Sequence, residues 1–262
     1  MAEAHNPPRK YGWKKDKEDP RDQVHNFSVS RFQSAIKLVD LRPHCPPIID
    51  QGTLGSCTAC AIGAAYHFDE LKECEKHCFP PSRLFIYYNE RKMENTISED
   101  NGAEIRNGIK SINLDGICPE SMWEYDINKF AVEPPKEAYD SATKHKCLQY
   151  KRVPQLLSQM KQCLIEGFPF VFGMQIYSSF ESDAVAKTGI VPLPHPRDGH
   201  VGGHAVVCVG FNDKKSHFII RNSWGEGWGD KGYFYLPYSF MANTSLVSDI
   251  WTVRQVVDTE EN

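Results

Sequence analysis

The sequence predicts an α+β protein of two lobes, helical in its first half and β-rich in its second. Apolar and small residues recur at 57, 61, 64, 68 and 71, the three-or-four spacing of a buried helix. "PSRLFIYYNERKME" and "NGAEIRNGIKSINLDG" keep the helical character going towards residue 145. After about residue 160 come short runs rich in Val, Ile, Phe and Tyr: "FPFVFGMQI", "HAVVCVGF", "HFIIRNSW", "GYFYLP" and "DIWTVRQVV". Gly, Asn, Asp and Pro separate them, so they read as strands. Helices in one block and strands in the next make an α+β fold.

Taken in order, the first forty residues are mostly polar, and "LRPHCPPIIDQG" follows them. Pro43, Pro46 and Pro47 lack the N–H that a helix interior needs, so this stretch is extended chain leading to a turn. Gly55 and Ser56 offer the turn and an N-cap, placing Cys57 in the first turn of the long helix. In "GGHAVVCVGFNDKKSHFIIRNSWGEGWGDKGYFYL" two strands flank the polar turn "NDKK", a β-hairpin pattern. A fold centred near Asp213 sets His204 across from Asn222, and cross-strand Cβ atoms lie only about 5 Å apart.

Composition narrows the partners. At 262 residues the chain is long enough for a large core, in one big domain or two closely joined halves. Thirty Lys and Arg stand against 34 Asp and Glu, for a net charge of −4, with no basic run interleaved with aromatics. Nucleic acid and anionic membranes are therefore not expected as partners. The polar start "MAEAHNPPRKYGWKKDKEDPRD" has no apolar core of a secretory signal, and "FPFVFGMQI" is too short to span a bilayer. Nine cysteines are odd in number and too sparse for a disulfide scaffold, which predicts reduced thiols in an intracellular, cytoplasmic setting. A monomer is expected, and no cofactor or metal is called for.

Cys57, Cys60, Cys74 and Cys78 have a metal-like spacing, C-x2-C and C-x3-C. One zinc needs all four sulfurs within about 2.3 Å. A helix over 57–71 is roughly 22 Å long and holds the two pairs apart. A redox C-x-x-C would be expected to follow an apolar strand, yet "DQGTLGS" precedes it. A thiol nucleophile instead needs a base, a group to orient that base and an oxyanion donor. The remaining histidines, among them His67, His77, His195 and His200, read as surface or satisfied residues, and Cys60, Cys118, Cys147, Cys163 and Cys208 as small core residues.

"QGTLGSC", "GHAV" and "RNSWGEGWGDKGY" together resemble the papain-like cysteine peptidases, the family of papain and the cathepsins. His204 lies 147 residues after Cys57, and Asn222 lies 165 after it. The resemblance implies a papain-like fold, with a helical lobe, an antiparallel β-barrel-like lobe and a cleft between them that takes extended peptide or protein substrates. It implies Cys57 as nucleophile, His204 as base and acid, Asn222 as the group orienting His204, and Trp224 as its shield. Gln51 is implied as the side-chain oxyanion donor beside the Cys57 N–H. Substrate-binding positions by resemblance are Gly102 and Ala103 in "EDNGAE", Gly203 before the catalytic His, and Asp249 at the floor of a pocket favouring Arg or Lys. "EDNGAE" reads equally as an ordinary loop and N-cap, and Asp249 as a solvated strand end.

Leu54 and Thr58 depart from the pattern, standing where the family has a cysteine and an aromatic residue. The expected organisation is a leader over 1–38, which could lie in the cleft and inhibit, and a peptidase domain over 39–262. That domain divides into a helical lobe at about 52–150 and a β lobe at about 151–262. The function implied is a cysteine-type peptidase acting through a thioester. A catalytically silent peptide-binding member of the fold and an acyl transferase using the same triad are the alternatives.

Overall fold

The computed structural model describes residues 9–25, 35–73 and 78–258. The chain opens with two short strands, β1 (Trp13–Lys14) and β2 (Leu38–Asp40). The long helix α1 (Cys57–Glu73) follows, then α2 (Arg83–Glu94), β3 (Ala103–Glu104), α3 (Ile105–Leu114) and α4 (Lys136–Ala142). The second half holds β4 (His145–Arg152), α5 (Leu157–Ile165), β5 (Phe170–Tyr177), α6 (Asp183–Thr188) and β6 (His200–Asn212). It closes with β7 (His217–Arg221), β8 (Tyr233–Pro237), α7 (Tyr238–Met241) and β9 (Val247–Asp258).

Local chemistry sets the helix ends. The Ser56 carbonyl accepts the Cys60 N–H at 3.0 Å, the first bond of α1, so Ser56 is its N-cap. Ser82 caps α2 by accepting the Phe85 N–H at 3.1 Å, and Asn95 ends that helix in the left-handed region at φ 58. Residues of α1 are buried around nearly the whole helix because it is wedged between the lobes. One side packs on α2 and α3, the other on β5, β6 and β9. The apolar stripe read from the sequence is therefore one part of a wider buried surface.

The large sheet runs in the order β4-β9-β5-β6-β7-β8, with β2 added beside β6, and its pairs are antiparallel. β4 and β8 stand at opposite ends without pairing, so the lobe is an open sheet rather than the barrel-like one expected. Isolated bridges cover the two edges instead, Val24 on Arg152 and Ile190 on Tyr235, which leaves less pressure to close. One apolar core lies among α1, α2, α3 and the inner face of the sheet, reaching Trp251. A second fills the sheet's other face under α5 and around Phe180, Trp224 and Trp228.

The hairpin forms, but its register differs from the symmetric fold about Asp213. Asn212 pairs with His217 and Phe211 with Phe218, so the turn occupies residues 213–216, with Ser216 at φ 53. An irregularity between Cys208 and Gly210 then shifts the partners by one, to Val207 with Arg221. His204, which pairs with Met174 of β5, and Asn222 both lie beyond the residues that β6 and β7 pair.

Candidate active site

His204 sits on β6 and Asn222 just after β7, and their side chains meet, His204 Nε2 to Asn222 Oδ1 at 2.8 Å. The Ser223 N–H donates to the same Oδ1 at 2.8 Å, which makes that atom the acceptor. Nε2 of the neutral ring therefore carries the proton, and Nδ1, which has no hydrogen bond among the described residues, presents a lone pair. Trp224 stacks on the imidazole with ring centroids 4.9 Å apart and covers this bond.

Cys57 is the first residue of α1, where helical N–H groups lack partners within the helix. Its Sγ accepts the N–H of Ala205, the residue after His204, at 3.4 Å. Thiol and imidazole are thus brought to one buried place across the lobe boundary. Gln51 is fixed at both ends: its Oε1 accepts from the Ser223 hydroxyl at 2.7 Å, and its Nε2 donates to the Leu54 carbonyl at 2.9 Å. The remaining amide hydrogen reaches the Lys10 carbonyl at 3.2 Å.

That contact belongs to a chain segment running the length of the cleft. Residues 9–16 lie across the catalytic candidates, and β1 pairs in parallel with β3, Trp13 with Ala103. The Gly12 carbonyl accepts the Ala103 N–H at 2.8 Å, and the Gly12 N–H faces the Cys57 sulfur. A Cβ on Gly102, at φ +73, would lie 1.8 Å from the Gly12 oxygen, so this crossing requires glycine. Tyr11 packs edge-on against both His204 and Trp224 and donates its hydroxyl to Glu181 at 2.7 Å. The Trp13 indole fills a pocket floored by glycine: a Cβ on Gly203 would meet the Trp13 carbonyl at 2.6 Å, and one on Gly173 would meet its ring at 1.9 Å.

Asp249 closes this pocket. It is buried at φ 55, and its Oδ2 accepts from the Trp13 indole at 3.2 Å and the Asp16 N–H at 2.7 Å. Burial pushes both acids up, and the Asp249 carboxylate adds to the rise at Asp16, while the Asp16 N–H and Arg152, 3.7 Å from Asp249, pull Asp249 the other way. Cys57 and His204 are also shut from water. Burial pushes the thiol up to about 12, with the Ala205 and Gly12 N–H groups pulling the other way, and pushes His204 down to about 4. Burial thus favours the neutral form of both groups where residues 9–16 cover them.

The family model described as papain family cysteine protease matches residues 37–249. The chain belongs to that family. The peptidase is 44% identical over 274 residues to the uncharacterized peptidase C1-like protein L477 of Acanthamoeba polyphaga mimivirus, covering 95% of this chain and 88% of the relative. It is 29% identical to cysteine proteinase 3 of Entamoeba histolytica, over 80% of this chain and 66% of that protein. Among solved structures, xylellain, a cysteine protease from Xylella fastidiosa, superposes with a TM-score of 0.85 at 39% identity, covering 95% and 98% of the two chains.

Of the nine residues singled out in the peptidase sequence, Cys57, His204, Gln51, Gly102, Ala103, Gly203, Trp224 and Asp249 lie against residues 9–13, and Asn222 bonds His204. Sequence reasoning missed the partners that fix them: Ser223, which bonds both Gln51 and Asn222, and Tyr11, Gly12 and Trp13 of the N-terminal segment. A glycine between two aromatics in "KYGWK" is the signal that could have flagged the crossing. The other thiols do not join the site. Cys60, Cys118, Cys147, Cys163 and Cys208 are buried, and Cys74 and His77 lie outside the described residues. Among the described residues no group of three or more His, Cys, Asp or Glu could hold a metal ion. None of their helices is long and apolar enough to cross a membrane.

Proposed function

We propose that the peptidase hydrolyses peptide bonds with Cys57 as nucleophile and that the leader, docked along the cleft, holds it in a closed state. The contact between His204 Nε2 and Asn222 Oδ1 carries this reading, because it leaves Nδ1 unprotonated beside a thiol that needs a base. With the cleft open to water, the proton of Cys57 passes to His204 Nδ1, and the helix end and the imidazolium favour the thiolate. The sulfur attacks the substrate carbonyl, and the oxyanion accepts from Gln51 Nε2 and the Cys57 N–H. His204 returns its proton to the leaving amine as the C–N bond breaks, giving a thioester. Water, deprotonated by the same nitrogen, then releases the acid and restores the thiol.

The leader occupies the reacting positions itself: its Gly12 N–H faces the sulfur, and its Lys10 carbonyl takes Gln51 Nε2, the donor assigned to the oxyanion. A thiol-directed peptidyl epoxide should label Cys57 stoichiometrically, and His204→Ala should slow labelling at least ~100-fold. Opening the cleft with Trp13→Ala should speed labelling of the otherwise intact chain. Equal labelling of Cys60 and Cys57 would refute the nucleophile assignment, and unchanged rates in Trp13→Ala would refute the closed state.

A further inference from the structure

We infer that the peptidase selects cationic peptides, through carboxylates on the cleft wall that lie beyond the catalytic residues and beyond Asp249. The inference rests on the thiol-peptidase reading. The docked segment "RKYGWKKDK" holds five basic residues and one acid, and three of its cations are seated on specific acids. Lys10 Nζ lies 2.5 Å from Asp100 Oδ2, Lys14 Nζ 3.2 Å from Glu94 Oε2, and Arg9 Nη1 2.8 Å from Asp50 Oδ1. No other cation pairs with these three acids among the described residues.

The acids are built into the wall before any peptide arrives. Asp100 Oδ1 accepts from the Tyr87 hydroxyl at 2.5 Å and the Gly55 N–H at 3.0 Å, leaving Oδ2 for the ammonium. Glu94 Oε1 accepts from the Glu104 N–H at 2.7 Å and Asn107 Nδ2 at 3.2 Å, leaving Oε2 for Lys14. Asp249 repeats the plan, with Oδ1 towards Arg152 and Oδ2 towards the leader. The side chains of Asp100 and Glu94 are only 14% and 10% exposed and so are held in place, while Lys10 and Lys14 reach them from solvent at 45% and 35% exposure, which leaves the pairs open to screening by salt.

Position turns this wall into a specificity device. Asp100 holds Gly55, whose carbonyl a Cβ on Gly12 would meet at 1.8 Å, so it governs the side chain next to the bond cut. Glu94 stands behind β3, where it governs a side chain further along the paired segment. When the leader leaves, its cations go with it and the acids remain fixed. A substrate threaded in either direction meets them, and Lys or Arg regains what the leader gave up.

The test uses full-length Trp13→Ala protein and matched fluorogenic peptides that differ only in carrying Lys, Gln or Glu next to the cleaved bond and two residues away. Lys should exceed Gln by about tenfold in kcat/KM at each position, and Glu should be poorest. Asp100→Asn should abolish the first preference and Glu94→Gln the second, and raising the salt to about 0.5 M should shrink both. Binding is read in parallel by fluorescence anisotropy on the Cys57→Ala, Trp13→Ala chain, using a labelled Lys-bearing peptide and its Gln counterpart. Equal rates for the peptides with equal binding overturn the inference, as does a Lys preference that survives both acid substitutions. A binding preference for Lys without hydrolysis or epoxide labelling upholds the charge selection and refutes the catalytic reading instead.

Discussion

Burial beneath residues 9–16 favours the neutral forms of Cys57 and His204. The closed state keeps the thiol protonated because its value is raised from 9.0 to about 12. The stability this lends to closure is complete below the ordinary thiol value and is lost as pH rises through about 12. His204 is held neutral, its value lowered from 6.5 to about 4, so its contribution is present above the ordinary value and is lost as pH falls towards about 4. In the intact chain, alkylation of Cys57 should therefore climb steadily from about pH 7 to about pH 10. In Trp13→Ala, where water and the ion pair return, it should level off at a lower pH. Superimposable profiles would mean that the leader does not control the thiol. Thr58 carries a second lesson at this scale. Read as a lost aromatic, it is a buried hydroxyl donating at 2.6 Å to Glu90, a fully enclosed carboxyl pushed well above its usual range. Sequence shows that a side chain changed, whereas the partner that explains it lies 32 residues away.

Among the elements, the short parallel pairing of β1 with β3 matters out of proportion to its length. A Cβ on Gly12 would fall 1.8 Å from the Gly55 carbonyl, on backbone that cannot swing aside cheaply. Gly12→Ala should then expel the leader without altering the lobes, raising hydrolysis of a Lys-bearing peptide by at least ~10-fold over the unmodified chain. Activity equal to that of the unmodified chain would show that the crossing tolerates a methyl and is not a lock. A two-residue strand has no period to detect, which is why β1 could not be read from the sequence. β4, "HKCLQYKR", went unread for a related reason: it lies at a sheet end with several polar positions and shows no apolar run. The long helix and the hairpin strands were legible because burial demanded the periodicity and the β-branched and aromatic residues that mark them. The hairpin register was not, since a turn's centre and a one-residue irregularity leave little trace in composition.

Across the whole molecule the leader is a strap joining the two lobes. Its backbone pairs with β3 in the helical lobe, while the Trp13 ring lies in the sheet lobe against Gly173, Gly203 and Asp249. Asp16 spans both, accepting from the Arg106 N–H at 3.1 Å on α3 and from the Trp251 indole at 2.8 Å on β9, with Arg152 beside it at 3.1 Å. Sequence blocks foretold two lobes, and the reading of a leader that could lie in the cleft named no residues for the crossing, because contacts made by Trp13 and Asp16 with residues over 200 positions away leave no local pattern. A strap contributes to stability only as much as its docking free energy, since it can lift off while the lobes stay folded. Trp13→Ala and Gly12→Ala should thus lower unfolding free energy in urea by nearly the same amount, and the double variant should lose no more than either alone. Trp251→Ala, which hollows the core shared by both lobes, should cost about 3–5 kcal/mol, beyond that ceiling. Additive losses for Trp13 and Gly12, reaching the Trp251 value, would mean that the segment is an integral layer of the fold and that the cleft never opens without unfolding.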